Sequence, residues 1–112
     1  MTHEMQLSIR PFEKIVRGAK VIESRLYDEK RQAIKVGDRI EFTCTDNPAQ
    51  KVSVQVIALH RHPSFDELFS AFLPEEFGGV SKSELLKEIN TFYSEEEVKK
   101  YGVLGIHITL KK

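Results

Sequence analysis

The chain has 112 residues, 17 basic and 17 acidic side chains, a formal net charge of zero and 40% hydrophobic content. That size suits a single domain, residues 1–112, with its own core. The apolar runs are too short to span a bilayer and no apolar block follows Met-Thr-His-Glu at the N-terminus, so no membrane partner is expected. One cysteine, Cys44, excludes an internal disulfide and points to a reducing, cytoplasmic setting.

The neutral total hides a segregation. Residues 10–39 carry nine bases against five acids, about +4, and residues 65–97 carry nine acids against Lys82 and Lys87, about −7. A protein that grips long duplex nucleic acid would be basic overall. A cationic N-terminal third in a neutral chain instead suits a short RNA segment or a small nucleoside ligand, with solvated surface charge as the plainer alternative.

Met5 to Ile9 alternates and predicts a strand. Pro11 suits a first helical position, where its missing N–H costs nothing, and the helix should run to about Arg17 with Gly18 as its cap. Lys20 to Leu26 predicts the second strand. The turn Val36-Gly37-Asp38 leads into a strand from Arg39 to Thr45, and Asp46-Asn47-Pro48 breaks it. In Lys51 to Leu59, Val52, Val54 and Val56 alternate with Ser53 and Gln55, the period of a half-buried strand.

The middle of the chain turns helical. Ser64, Ser81 and Ser94 are each followed three residues later by Glu67, Glu84 and Glu97, the reciprocal capping pattern, so helices should begin near Phe65, Lys82 and Glu95. Tyr101-Gly102 ends the third and Val103 to Leu110 predicts the last strand. Five strands with inserted helices predict an α+β fold, a small and partly closed mixed β-barrel.

The segment Gly18 to Arg39 holds the chemistry. Along an extended Lys20–Arg25, Val21 shares a face with Glu23 and Arg25, while Lys20, Ile22 and Ser24 share the other. Neither face is cleanly apolar, so a charged group must sit at a strand end or in a cleft, paired or met by a ligand. Three roles are open for Lys20, Glu23 and Arg25: a structural ion pair, a ligand contact, or catalysis by a lysine of depressed pKa. They are expected to line one cleft, with Arg10 and Tyr27 at its rim. Tyr27 could stack a base and Lys30 and Arg31 could hold phosphate, or Asp28 to Arg31 is a solvated turn.

Other candidates are weaker. His60 and His62 share a strand face, but no cysteine or clustered carboxylate completes a metal site. His107 reads as a strand histidine and Cys44 as core. No phosphate loop or dinucleotide glycine motif is present, so no cofactor is expected, and no obligate protein partner is evident.

Gly18-x-Lys20-x-x-Glu23-x-Arg25, with Ser8-Ile9-Arg10-Pro11-Phe12 before it and Lys35-Val36-Gly37-Asp38-Arg39-Ile40-Glu41-Phe42 after it, resembles the ASCH domain of the PUA-like superfamily, from about Met5 to Leu110. The resemblance implies a PUA-like barrel whose motif residues line a cleft between barrel and helices. One branch hydrolyses the acetyl amide of N4-acetylcytidine with a lysine, a threonine and a downstream glutamate. By that likeness Lys20 is the lysine, Glu23 stands at the threonine position, and the downstream acid falls at Glu75 or Glu76, making Lys20, Glu23 and Glu76 the implied catalytic set. A carboxylate cannot replace a hydroxyl unchanged, so binding of RNA or a modified nucleoside is the first expectation. Amidohydrolase or ribonuclease activity is the alternative.

Overall fold

The computed structural model describes residues 1–111. Its strands are β1 (Thr2–Leu7), β2 (Ile22–Leu26), β3 (Arg39–Cys44), β4 (Lys51–His62) and β5 (Val103–Leu110). They form one sheet in the order β1-β3-β4-β5-β2, curled into a half-barrel. Only β1 and β3 run parallel; β3–β4, β4–β5 and β5–β2 are antiparallel. The helices are α1 (Ile9–Val16), α2 (Glu29–Gln32), α3 (Phe65–Ala71), α4 (Lys82–Ile89) and α5 (Glu95–Tyr101), with a 3-10 turn at Pro74–Phe77.

The two faces of the sheet carry separate cores. Alternation sends Met5, Leu7, Ile40, Phe42, Val54, Val56, Leu104, Ile106 and Ile108 into the hollow of the curl, where Phe12 and Ile15 of α1 plug it. The opposite residues, Ile22 and Val103, pack under Phe65, Leu68, Phe69, Phe77 and Leu85 of the helical layer. Two cores of this kind leave β1 and β2 as edges, and the seam between them is where the curl fails to close.

The local signals worked as chemistry predicts. Ser64, Ser81 and Ser94 each accept the backbone N–H three residues on, so α3, α4 and α5 begin at Phe65, Lys82 and Glu95. Only Glu97 completes the reciprocal bond, to Ser94 N at 3.0 Å; Glu84 turns to Val80 N instead. Gly18 follows α1 with φ +76°, a left-handed conformation that lets Ala19 N–H reach Lys14 O at 2.8 Å.

Several boundaries move. β1 begins at Thr2 and ends at Leu7, because Ser8 becomes the cap of a helix that starts at Ile9. β2 begins at Ile22, leaving Lys20 and Val21 outside the strand. β4 runs to His62, past the expected Leu59, with an irregularity between Val56 and Ala58. The expected turn at Asp28–Arg31 is helix α2, capped by Asp28.

Candidate ligand site at the seam of the half-barrel

Glu23 is the centre. It faces the hollow of the curl opposite Ile106, with its side chain 6% exposed. A carboxylate there must be paired. Lys20 Nζ lies 3.1 Å from Oε1, and Arg25 Nε donates to Oε2 at 2.7 Å. Burial pushes the Glu23 carboxyl up, but Lys20 and then Arg25 outweigh it and hold it below its ordinary value. Glu23 is therefore anionic.

Because Lys20 precedes β2, it escapes the strand's alternation and folds back over Glu23. Its Nζ also donates to Phe77 O at 3.0 Å. Lys14 Nζ donates to Gly78 O at 2.5 Å, and Glu76 O accepts from Val21 N–H at 2.9 Å. The carbonyl end of the 3-10 turn is thus held by two lysines. Gly78 has φ +83°, and a Cβ there would press within 3.2 Å of Lys14 and Lys20, so the clamp requires glycine.

Arg25 closes the other side. Its Nη2 donates to Gln6 O of β1 at 3.0 Å, tying the two edge strands across the seam. Burial opposes its charge, but Glu23, and after it the Tyr93 hydroxyl, outweigh that and raise its pKa above the usual guanidinium value.

Lys20, Glu23 and Arg25 are brought together as expected, but they do not line one cleft. Glu23 is buried between its two partners and lines neither hollow. Arg25 faces a polar cleft of about 590 Å³ with Glu4, Met5, Gln6, Lys30, Arg31 and Thr43. Lys20 faces a smaller apolar hollow of about 300 Å³ with Ile15, Gly18, Val21, Val54 and Ile108 to Leu110.

The remaining candidates scatter. Lys30 and Arg31 line the larger cleft, and Arg31 Nη1 is paired with Asp28 Oδ2 at 3.0 Å. Tyr27 is half-buried, with the Arg61 guanidinium 4.1 Å above its ring, so that face is already covered. Arg10 is exposed on α1 and lines neither hollow. The Glu76 carboxylate accepts from Leu73 N–H at 2.9 Å, capping its own turn, and makes no ion pair with Lys20.

The sequence did not single out Gln6, Tyr93 or Arg61. Backbone carbonyls carry no residue signal, and Tyr93 and Arg61 arrive from distant elements. His60 lies 4.6 Å from the Phe72 ring and 5.8 Å from His107 by ring centroids. Among the described residues no three His, Cys, Asp or Glu side chains stand together as a metal site.

The ASCH domain family model matches residues 5–112, and the chain belongs to that family. It is similar to the crystal structure of a hypothetical protein, PH0355, with 39% identity over 99% of this chain and 100% of that one, TM-score 0.88. The solution structure of protein PF0455 from Pyrococcus furiosus shares 37% identity over 100% and 99% of the two chains, TM-score 0.75. The ASCH protein of Zymomonas mobilis matches at 16% identity over 96% of this chain and 66% of its own, TM-score 0.63, a likeness of fold. No curated protein matches the chain. No helix among the described residues is long and apolar enough to cross a membrane.

Proposed function

We propose that this ASCH domain is a binding module for RNA or a modified nucleoside, using the seam cleft lined by Arg25, Lys30 and Arg31, with the Lys20–Glu23 pair holding Arg25 in place. The observation that carries the reading is the state of Lys20. A lysine acting as nucleophile or base must present Nζ to the substrate, and this Nζ lies 3.1 Å from Glu23 Oε1 and donates to Phe77 O at 3.0 Å. Both contacts turn it towards the protein. Glu76 is engaged with Leu73 N–H, so no second carboxylate is poised over Lys20. The ASCH family is generally taken to bind RNA, which agrees with a cleft rich in guanidinium and ammonium groups.

The test uses labelled single-stranded RNA across a salt series. Two to three phosphate contacts predict a log–log slope of about −1.4 to −2 for a single strand. In parallel, N4-acetylcytidine is incubated with the protein and analysed by mass spectrometry. Salt-sensitive binding without product supports the module; cytidine and acetate appearing in the wild type and not in Lys20→Ala would establish the amidohydrolase instead.

A further inference from the structure

We infer that the cleft of about 590 Å³ at the seam is a phosphate site, so that the ligand is a nucleotide or an RNA strand rather than a free nucleoside. This rests on the nucleic-acid reading above and names the ligand class within it.

The argument is a count of donors. A guanidinium offers five N–H groups in a planar fork that matches phosphate oxygens two at a time. Arg25 spends Nε on Glu23 and one Nη2 proton on Gln6 O, and the Tyr93 hydroxyl lies against its guanidinium, so it brings its charge and only part of its fork to the cleft. Arg31 spends Nη1 on Asp28, and its Nε is buried with no hydrogen-bond partner among the described residues. Lys30, on the same lining, is exposed and forms no ion pair among the described residues. Glu23 and Asp28 fix the two guanidiniums by part of each fork, and among the described residues Arg31 Nη2 makes no hydrogen bond.

Three cations meet one carboxylate, Glu4, on that lining, and a cavity of this size accepts a small-molecule ligand. A neutral ribose or base would leave the spare charged donors unmatched. A phosphate offers oxygens in several directions at once, which suits donors arriving from β2 and from α2.

Calorimetry with cytidine, cytidine 5′-monophosphate, inorganic phosphate and a 5′-hydroxyl pentacytidylate tests the idea on wild type, Arg31→Gln and Lys30→Gln. The monophosphate should bind about tenfold or more tighter than cytidine, a gap expected of charge-assisted bonds. Arg31→Gln should erase most of that gap by weakening the monophosphate far more than cytidine. Lys30→Gln, an exposed change that spares the fold, should narrow it too. A pentamer as tight as the monophosphate identifies internal phosphodiesters as the source; a weaker one identifies a terminal monoester. Equal wild-type affinity for cytidine and its monophosphate overturns the phosphate site and spares the nucleoside reading. Inorganic phosphate bound, and lost in Arg31→Gln, while no cytidine compound binds, supports the anion site and overturns the nucleic-acid reading. Silence from all four probes overturns both.

Discussion

Lys20–Glu23–Arg25 and Lys30–Arg31 use the same cationic side chains a few residues apart, yet they stand in opposite conditions. In the first group both carboxylate oxygens of Glu23 are engaged and the side chains are 6–15% exposed. In the second, Lys30 is exposed, and Arg31, though paired with Asp28, keeps a buried Nε unmatched among the described residues. Charge buried against its own counter-charge acts first on the fold. Charge with donors left over acts on what the protein meets.

The largest blow to this contrast is Glu23→Gln. The shape stays, but two cations lose their counter-charge in a low-dielectric interior, and stability should fall by about 3 kcal/mol or more. Urea unfolding would measure it, and a wild-type midpoint would mean that the Glu23 ion group does not hold the fold. Acid should reproduce the loss, since the folded protein holds the Glu23 carboxyl below its ordinary value of 4.5. Its contribution is complete above pH 4.5 and disappears as pH falls through the folded value, so the variant should lack that limb of the wild-type curve.

Lys20→Met comes next, with a loss of about 2 kcal/mol, because the stem still packs while the bonds to Glu23 and Phe77 O go. Arg25 remains on Glu23, which makes this milder than Glu23→Gln. A loss as large as that of Glu23→Gln would show that the 3-10 turn, not the ion group, is the sensitive element.

Two further acid phases should be smaller. His60 has its pKa lowered, first by burial and then by His107 and His62, so its share of stability is complete above pH 6.5 and falls away below it. His60→Asn should remove that upper phase alone. Asp38, bonded to His3 and to Lys35 N–H, titrates at about 2, so its share persists above pH 3.8 and is lost towards pH 2. Thermal melts at half-unit pH steps would separate these phases.

The smallest effect on folding belongs to Lys30→Gln, within about 0.5 kcal/mol of wild type. Its effect on RNA affinity should be plain in a fluorescence titration at low salt. A variant that unfolds early, or one that binds RNA like the wild type, would break the contrast from the other side.

Much of this was legible in the residues. Three serine caps and Gly18 act within one turn of chain, and Val52, Val54 and Val56 declare their face by alternation. The interleaving of Lys20, Glu23 and Arg25 with Val21 and Ile22 correctly marked a buried conflict of charge. Helix α2 escaped because four residues show no period, and its charges read equally as a turn. The end of β4 escaped because the irregularity after Val56 shifts its alternation by one residue. That Arg25 and Lys20 open onto different hollows depends on bonds to the carbonyls of Gln6 and Phe77, which any residue could supply.

The strand order carries a consequence for biosynthesis. β5 is made last among the five strands, yet it lies between β4 and β2, and Ile22 must wait for His107. While the ribosome is still adding the α5 region, β2 has no neighbour to pair with, and Glu23 and Arg25 remain in water. Domains emerge N-terminal end first, but this one cannot close in that direction. Its buried ion group gains its strand neighbour only when the final strand slots into a sheet whose two edges were synthesised long before.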